Sequence, residues 1–271
     1  MARLSPEAIS HYQRDGYVSP VRVLSAAETA AYRARLEAIE ASGRLPAGSL
    51  RSKSHLLLTW VDEIVRHANV LDAVESIIGP NILAWGTSFF IKEPRNVSFV
   101  SWHQDLTYWG LEPCDIVTAW IALSESTAEN SAMRVIPGTH TADVVPHKDT
   151  FAVDNLLSRG QEICVAVDEA KAVTLELEPG QMSLHHVKLI HGSDPNPSDK
   201  RRIGLAIRYI PTYVRQTAGA IDSALLVRGA DAFGHFRPEE RPVADLSPRA
   251  IAHHAQVTED TMRILMRGTA S

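Results

Sequence analysis

A β core flanked by helices is the fold class this sequence predicts, and three observations lead to it. Helix-start signals cluster before residue 80; six β-branched and aromatic runs then follow between residues 82 and 214 with no ten-residue helical pattern between them; a last capped segment begins at Ser247-Pro248. Strands that succeed one another through turns, without crossover helices, pair antiparallel. The core is therefore expected to be a sandwich or a barrel rather than a parallel α/β sheet.

Taken in order, Ser5 before Pro6 and Glu7 sets an N-cap ahead of proline at the first helical position, and the Asp15-Gly16 turn signal ends that helix. A short strand, "YVSPVRVL", follows. Ser25 with Glu28 three residues later makes a capping box, opening a helix rich in Ala, Leu, Glu and Arg that ends near Gly43. "WVDEIVRHANVLDAVESII" predicts a third helical segment, closed by Gly79-Pro80. The strands are expected in "ILAWGTSFFIK", "VSFVSWHQDL", "DIVTAWIAL", "MRVIPGTH", "AVTLELEPGQMSLHHVKLIHGS" and "RRIGLAIRYIPTYV". From Ser247-Pro248 through "RAIAHHAQVTEDTMRIL" another capped helix is expected.

The chain of 271 residues, 45% hydrophobic and 22% charged, is long enough for one large domain over residues 1–271. That domain divides into an N-terminal helical part over about 1–80, the β core over about 81–215 and a C-terminal extension over about 216–271. A net charge of −5 with dispersed basic residues gives no electrostatic reason to expect nucleic acid or an anionic membrane as partner. Cys114 and Cys164 lie fifty residues apart without a C-x-x-C companion, so neither a zinc motif nor a disulfide framework is expected. The first residues, "MARLSPEAISHYQRDGY", lack the apolar run of a signal peptide, and no stretch approaches the ~20 apolar residues of a membrane span. The expectation is a soluble, cytoplasmic protein acting on a small-molecule substrate, with oligomeric state left open.

Chemistry first shows at "SWHQDLTYWGL", where a chain with only 6% aromatic residues sets Trp102, Tyr108 and Trp109 around His103 and Asp105. In an extended segment these two side chains point the same way, about 7 Å apart along the backbone, so an imidazole nitrogen and a carboxylate oxygen can meet one ion. An isolated H-x-D is more often a surface polar pair, and only the rest of the chain gives it weight. Two histidines and one carboxylate leave open positions on an octahedral Fe(II), where a co-substrate and dioxygen bind together. The missing imidazole has four candidates: His140, His185, His186 and His191. His191 stands at the end of an apolar strand where a turn begins, and eleven residues on lies Arg202. The planar fork of an arginine suits one end of a dicarboxylate whose other end reaches the metal.

"WHQDLTYWG", "VTAWIAL", "ENSAMRVIPGTH" and "HGSDPNPSDKRRIGLAIRY" together strongly resemble the phytanoyl-CoA dioxygenase family of Fe(II)/2-oxoglutarate-dependent oxygenases, over nearly the whole chain from "YQRDGY" to beyond Arg208. The resemblance implies a double-stranded β-helix, the jelly roll of cupin-like proteins. It implies His103, Asp105 and His191 as iron ligands, and Arg202 with Ser193 as the clamp for the distal carboxylate of 2-oxoglutarate. Gln104 and Trp120 match positions lining the co-substrate pocket, Lys53 a lysine that contacts 2-oxoglutarate, and Phe89 the pocket wall. With Fe(II), 2-oxoglutarate and dioxygen, the implied reaction is hydroxylation of an unactivated C–H bond with release of succinate and carbon dioxide. Halogenating relatives have alanine or glycine where Asp105 stands, so a hydroxylase is expected rather than a halogenase. Ser131 departs from the family's glycine, which alters a turn near the site mouth.

Plainer roles are weighed beside these. His185 and His186 are adjacent and face opposite sides of a strand, which suits supporting or core positions better than ligation. His140 follows a Pro-Gly turn within reach of substrate. Trp102, Tyr108 and Trp109 are expected as core or lid packing, with a substrate wall that keeps water away as the alternative. Arg215-Gln216 is expected to be a solvated pair, with contact to an acidic substrate as the alternative. A catalytically silent jelly-roll binding protein should show broken ligand or clamp positions, and a cupin-like enzyme using another metal has no need of Arg202.

Overall fold

The computed structural model describes residues 3–218 and 222–269. Helix α1 (Pro6–Asp15) starts where the Ser5 hydroxyl accepts from the Ala8 amide. After strand β1 (Tyr17–Arg22), helix α2 (Ala26–Ala41) opens on the Ser25–Glu28 capping box. The third helical segment proves to be two helices, α3 (Thr59–Val65) and α4 (Ala68–Ile78). His67 makes the break: its Nδ1 accepts from the Asn69 amide at 3.3 Å and caps α4. Histidine is not among the usual N-cap residues, so an unbroken apolar periodicity concealed the junction.

The remaining strands are β2 (Ile82–Lys92), β3 (Val100–His103), β4 (Leu111–Glu112), β5 (Val117–Ala122), β6 (Arg134–Val135), β7 (His147–Lys148) and β8 (Glu162–Ile163), then β9 (Val173–Thr174), β10 (Gln181–His186), β11 (His191–Ser193), β12 (Arg202–Pro211), β13 (Arg215–Gln216), β14 (Ser223–Arg228) and β15 (Arg237–Pro238). Helix α5 (Pro248–Leu265) is capped by Ser247, as predicted. The long run over 172–193 is thus three strands rather than one. These strands form a seven-stranded sheet ordered β1-β10-β5-β12-β2-β14-β15 and a four-stranded sheet ordered β3-β11-β6-β9, the two walls of a jelly roll, with two short ribbons at the rim.

Alternation along the large sheet decides where function can sit. Ile203, Leu205, Ile207 and Tyr209 of β12 share one face with Val117, Ala119 and Ile121 of β5, and they pack in one core with Trp60, Ile64, Val70 and Val74 of α3 and α4. Each such side chain, fully buried, contributes about 1.5–3 kcal/mol over its exposed state. The opposite face carries the intervening residues, Arg202, Gly204, Ala206 and Arg208. In register across the sheet, Arg202 pairs with Lys92, Ala206 with Trp120, and Thr118 with both Arg208 and His185. One face of the sheet is therefore bound to the helices, while the other presents a polar row to the interior of the roll. Cys114 and Cys164 are free, and among the described residues no helix is long and apolar enough to cross a membrane.

Candidate metal centre and adjoining cavities

His103 is the last residue of β3, and His191, the first of β11, pairs directly opposite it. Asp105 does not continue the strand; it begins a 3-10 turn over Asp105–Tyr108, and that bend swings its carboxylate back toward His103. The three ligand atoms lie within 4.8 Å of one another, with His103 Nε2 3.4 Å from Asp105 Oδ1. All three side chains are buried. Gly192 permits the approach of the two strands, since a Cβ there would stand 2.9 Å from the Val100 carbonyl oxygen.

Protonation follows from the partners. His103 Nδ1 is 2.9 Å from the Ser101 carbonyl oxygen and 3.1 Å from that of His191, while His191 Nδ1 is 2.9 Å from that of Leu189. A carbonyl only accepts, so each Nδ1 donates, which leaves each Nε2 facing the centre. Burial, then the charges of His103 and His185, holds the His191 imidazole well below its ordinary value and so neutral. Burial alone would push the Asp105 carboxyl up, but contact with His103 and the charges of His191 and Arg208 outweigh it and keep the group below the usual carboxylate range. Two imidazoles and a carboxylate on one side are a donor set for a divalent ion.

The other histidines weighed for this position lie elsewhere. His140 Nε2 reaches the Gln13 carbonyl oxygen at 3.1 Å, and its ring packs 5.3 Å from that of His186. His185 stands behind the centre, its ring 4.7 Å from His191 and its Nε2 4.0 Å from Asp105 Oδ2.

Against the triad lies a small pocket lined by Trp120, Ser193 and Arg202 among others. Arg202 is buried, its NH1 nitrogen donating to the Ser131 carbonyl and its Nε without a partner. Its guanidinium carbon sits 5.5 Å from the Trp120 ring. The indole covers Gly204 so closely that a Cβ there would fall 1.9 Å from Trp120 Cζ2. Directly across from Arg202, Lys92 is buried with its ammonium donating to Ser193 Oγ at 2.8 Å, to the Ser193 carbonyl at 3.2 Å and to the Asp194 carbonyl. Burial and then the charge of Arg202 push Lys92 down to about 6. A buried guanidinium with an orphaned N–H, with the Lys92 amine beside it, is what a carboxylate would satisfy, so the pocket fits 2-oxoglutarate.

Three expected contacts move. Gln104 is not on the pocket wall: its amide donates to the Lys188 carbonyl at 2.8 Å and accepts from the Val145 amide at 2.9 Å, bracing two loops. Lys53 does not join Arg202; its ammonium is buried against Glu239 Oε1 at 2.5 Å and the Ser223 carbonyl at 2.8 Å. Phe89 packs on Trp60 in the helix-covered core, 5.8 Å between ring centres, and its neighbour Phe90 lines the pocket instead. Arg215 is exposed on β13. Of the aromatic trio, Trp109 lines a cavity beside Trp85, whereas Trp102 and Tyr108 lie under the guanidinium groups of Arg134 and Arg159. Lys92, Phe90 and Arg208 are the residues the sequence reading passed over. Their signal was there: Phe90 and Lys92 alternate along β2, and Arg208 lies an even six residues after Arg202 on β12.

A second, larger cavity of about 410 Å³ adjoins the first and shares Phe90, Asp105 and Arg208 with it. Its outer walls come from the segment before α3, the loop around Leu156 and α5.

Comparison with known proteins bears on this arrangement. The family profile for phytanoyl-CoA dioxygenase (PhyH) matches residues 12–204. A probable alpha-ketoglutarate-dependent hypophosphite dioxygenase of Stutzerimonas stutzeri is 32% identical over 157 residues, 57% of this chain and 54% of that one. The human peroxisomal phytanoyl-CoA dioxygenase is 34% identical over 148 residues, 52% of this chain and 43% of that one. The chain thus spans about half the length of the curated relatives it matches. Among solved structures, apo ThoJ, a non-heme monooxygenase, superposes with a TM-score of 0.86 at 36% identity, covering 95% of this chain and 97% of that one. EctD from S. alaskensis with 2-oxoglutarate and 5-hydroxyectoine shares the fold, with a TM-score of 0.64 at 19% identity over 90% of this chain and 86% of that one. With the profile covering His103, Asp105, His191 and Arg202, this chain belongs to the phytanoyl-CoA dioxygenase family.

Proposed function

We propose that the chain is a single-domain Fe(II)- and 2-oxoglutarate-dependent dioxygenase that hydroxylates an unactivated C–H bond of a small molecule, with release of succinate and carbon dioxide. The observation that carries this reading is the buried group of two imidazoles and one carboxylate beside Arg202, whose Nε has no partner. His103, Asp105 and His191 would hold the iron. Arg202 and Ser193, joined by Lys92, would hold the far carboxylate of the co-substrate, and Trp120 would wall its carbon chain. When bound, Fe(II) and 2-oxoglutarate supply the activation of dioxygen that no side chain here provides.

Asp105 favours hydroxylation over halogenation. Its carboxylate already fills the ligand position that chloride would need, and a tethered group competes at high effective concentration. The ligand and clamp positions are all intact, which disfavours a silent binding protein; the buried Arg202 guanidinium beside the triad disfavours a cupin-like enzyme without an acidic co-substrate. Anaerobic addition of Fe(II) and 2-oxoglutarate should give a weak visible charge-transfer band. A screen for succinate release then finds the substrate. Under labelled dioxygen and high chloride, one labelled oxygen should enter the product and one succinate. Absence of the band, or a chlorinated product, would overturn the reading.

A further inference from the structure

The larger cavity has a chemical character of its own. The acidic side chain on its wall is Asp105, which the proposed metal would occupy; the basic ones include Arg208, Arg51 and Lys53. Lys53 is neutralised by Glu239. Arg208 and Arg51 have no carboxylate of their own: Arg208 donates to Ser88 Oγ at 2.6 Å with its Nε unpartnered, and Arg51 donates to the Leu156 carbonyl. Two cations left facing one space repel each other. Ser49 Oγ and Thr261 Oγ1, both buried, are likewise without partners and line the same space. Buried polar groups are rarely left unsatisfied unless a ligand or water completes them. Between them the wall is apolar, with Trp109 and Met262 prominent.

We infer that the substrate of this site is an organic oxyanion, a carboxylate or phosphonate on an apolar body, whose charged group is held by Arg208 with Arg51 at the rim and by the Ser49 and Thr261 hydroxyls. Arg208 lines both cavities, so it stands between the co-substrate pocket and the substrate space. The volume of about 410 Å³ suits a drug-sized molecule rather than a bare inorganic ion. Arg208, Thr261 and Met262 lie beyond the family-matched residues 12–204, whereas Ser49 and Arg51 lie within them. The inference rests on the proposed dioxygenase reading for its orientation toward Asp105, though the charge preference can be measured without it.

The experiment compares molecules of matched shape: 4-phenylbutanoate, 3-phenylpropylphosphonate, 4-phenylbutanamide and 4-phenylbutylamine. Each is titrated by ligand-observed NMR against the full chain loaded with Zn(II), with and without saturating 2-oxoglutarate. The acids should bind on the order of tenfold tighter than the amide, because a guanidinium–oxyanion hydrogen bond is stronger than a neutral one, and the amine should not bind. The carboxylate and phosphonate arms tell which oxyanion the site prefers. Arg208→Gln should lose that preference, Arg208→Lys should recover part of it, and Arg51→Gln should show a smaller loss because the residue is exposed. Affinity for 2-oxoglutarate should stay at the wild-type level in Arg51→Gln, since Arg51 lines the larger cavity alone. Equal binding of acid and amide by the wild type would sink the inference, as would an unchanged acid-to-amide ratio in Arg208→Gln. Failure of the wild type to bind 2-oxoglutarate would count against the dioxygenase reading instead, and the acid-to-amide ratio without co-substrate would still decide the substrate class.

Discussion

At the residue scale, Arg202 and Arg201 make a natural comparison, because neighbours on a strand face opposite ways. Arg202 is buried beside the triad, whereas Arg201 reaches Glu40 and Glu93, each at 2.8 Å, on the helix side. Arg202→Ala should weaken 2-oxoglutarate binding by about 2–5 kcal/mol, tens-fold or more, with iron affinity little changed. Arg201→Ala should leave the co-substrate affinity near wild type; equal losses in titration calorimetry would refute the assignment of faces. His191→Ala should abolish the charge-transfer band, while His140→Ala and His186→Ala, whose rings pack together away from the centre, should keep it. The same alternation explains what could be read in advance. His103, Asp105, His191 and Arg202 were legible because their spacings are tied to turns and their side chains have one suitable chemistry. Phe89 and Phe90 differ by one position in a run without polar punctuation, so sequence could not say which faces the roll. Lys53 and Lys92 posed the same difficulty over a longer range: both are buried lysines, and only the cross-strand pairing sets Lys92, rather than Lys53, beside Arg202.

At the scale of elements, strand β12 works because Gly204 lets the Trp120 indole lie across it, next to Arg202. The backbone there is ordinary strand, so space alone demands glycine. Gly204→Ala should displace the indole, cost about 1–3 kcal/mol of stability by overpacking, and loosen 2-oxoglutarate binding. Denaturant titration and co-substrate calorimetry would test both effects, and a variant with wild-type values in each would show that the ring adapts freely. The turn leading to β6 has a different requirement. Ser131 sits at φ 64°, a conformation natural to the glycine of the family pattern, yet its carbonyl accepts from Arg202 and its hydroxyl from Lys92 at 3.3 Å. The expected alteration of a turn is therefore also a contact with the clamp. Elements themselves were largely legible from caps and β-branched runs. What escaped was the junction at His67 and the bend after His103. Neither has a local signal in residue type; the first depends on an unusual cap and the second on Asp105 leaving the sheet.

On the scale of the whole molecule, the parts outside the β core are fastened by groups too distant in sequence to be paired by reading. Lys53 and Glu239 lie 186 residues apart and meet in full burial, with His55 Nε2 3.0 Å from the other Glu239 oxygen and Ser223 Oγ donating to the first at 2.9 Å. This cluster joins the segment before α3, strand β14 and the C-terminal extension, and its Lys53 also lines the larger cavity. Burial would raise the Glu239 carboxyl, but the charge of Lys53, with the His55 hydrogen bond, holds it at about 2. A folded value below the ordinary carboxylate value of about 4.3 means that this stabilisation is present above that pH and is lost as pH falls through the folded value. Glu239→Gln removes the charge at every pH and leaves the Lys53 ammonium buried without its counterion. At pH 6 the variant should be less stable than wild type by about 3–5 kcal/mol. At pH 3 the gap should narrow, because the wild type has by then lost much of the same contribution. Replacing both partners, Lys53→Met with Glu239→Leu, should recover most of the loss, since no charge is then left unpaired. Urea titrations of the three proteins at both pH values measure this directly. A gap that is the same at pH 6 and pH 3 would show that the carboxylate charge is not what holds the cluster, and a double variant as unstable as Glu239→Gln would place the loss in packing instead.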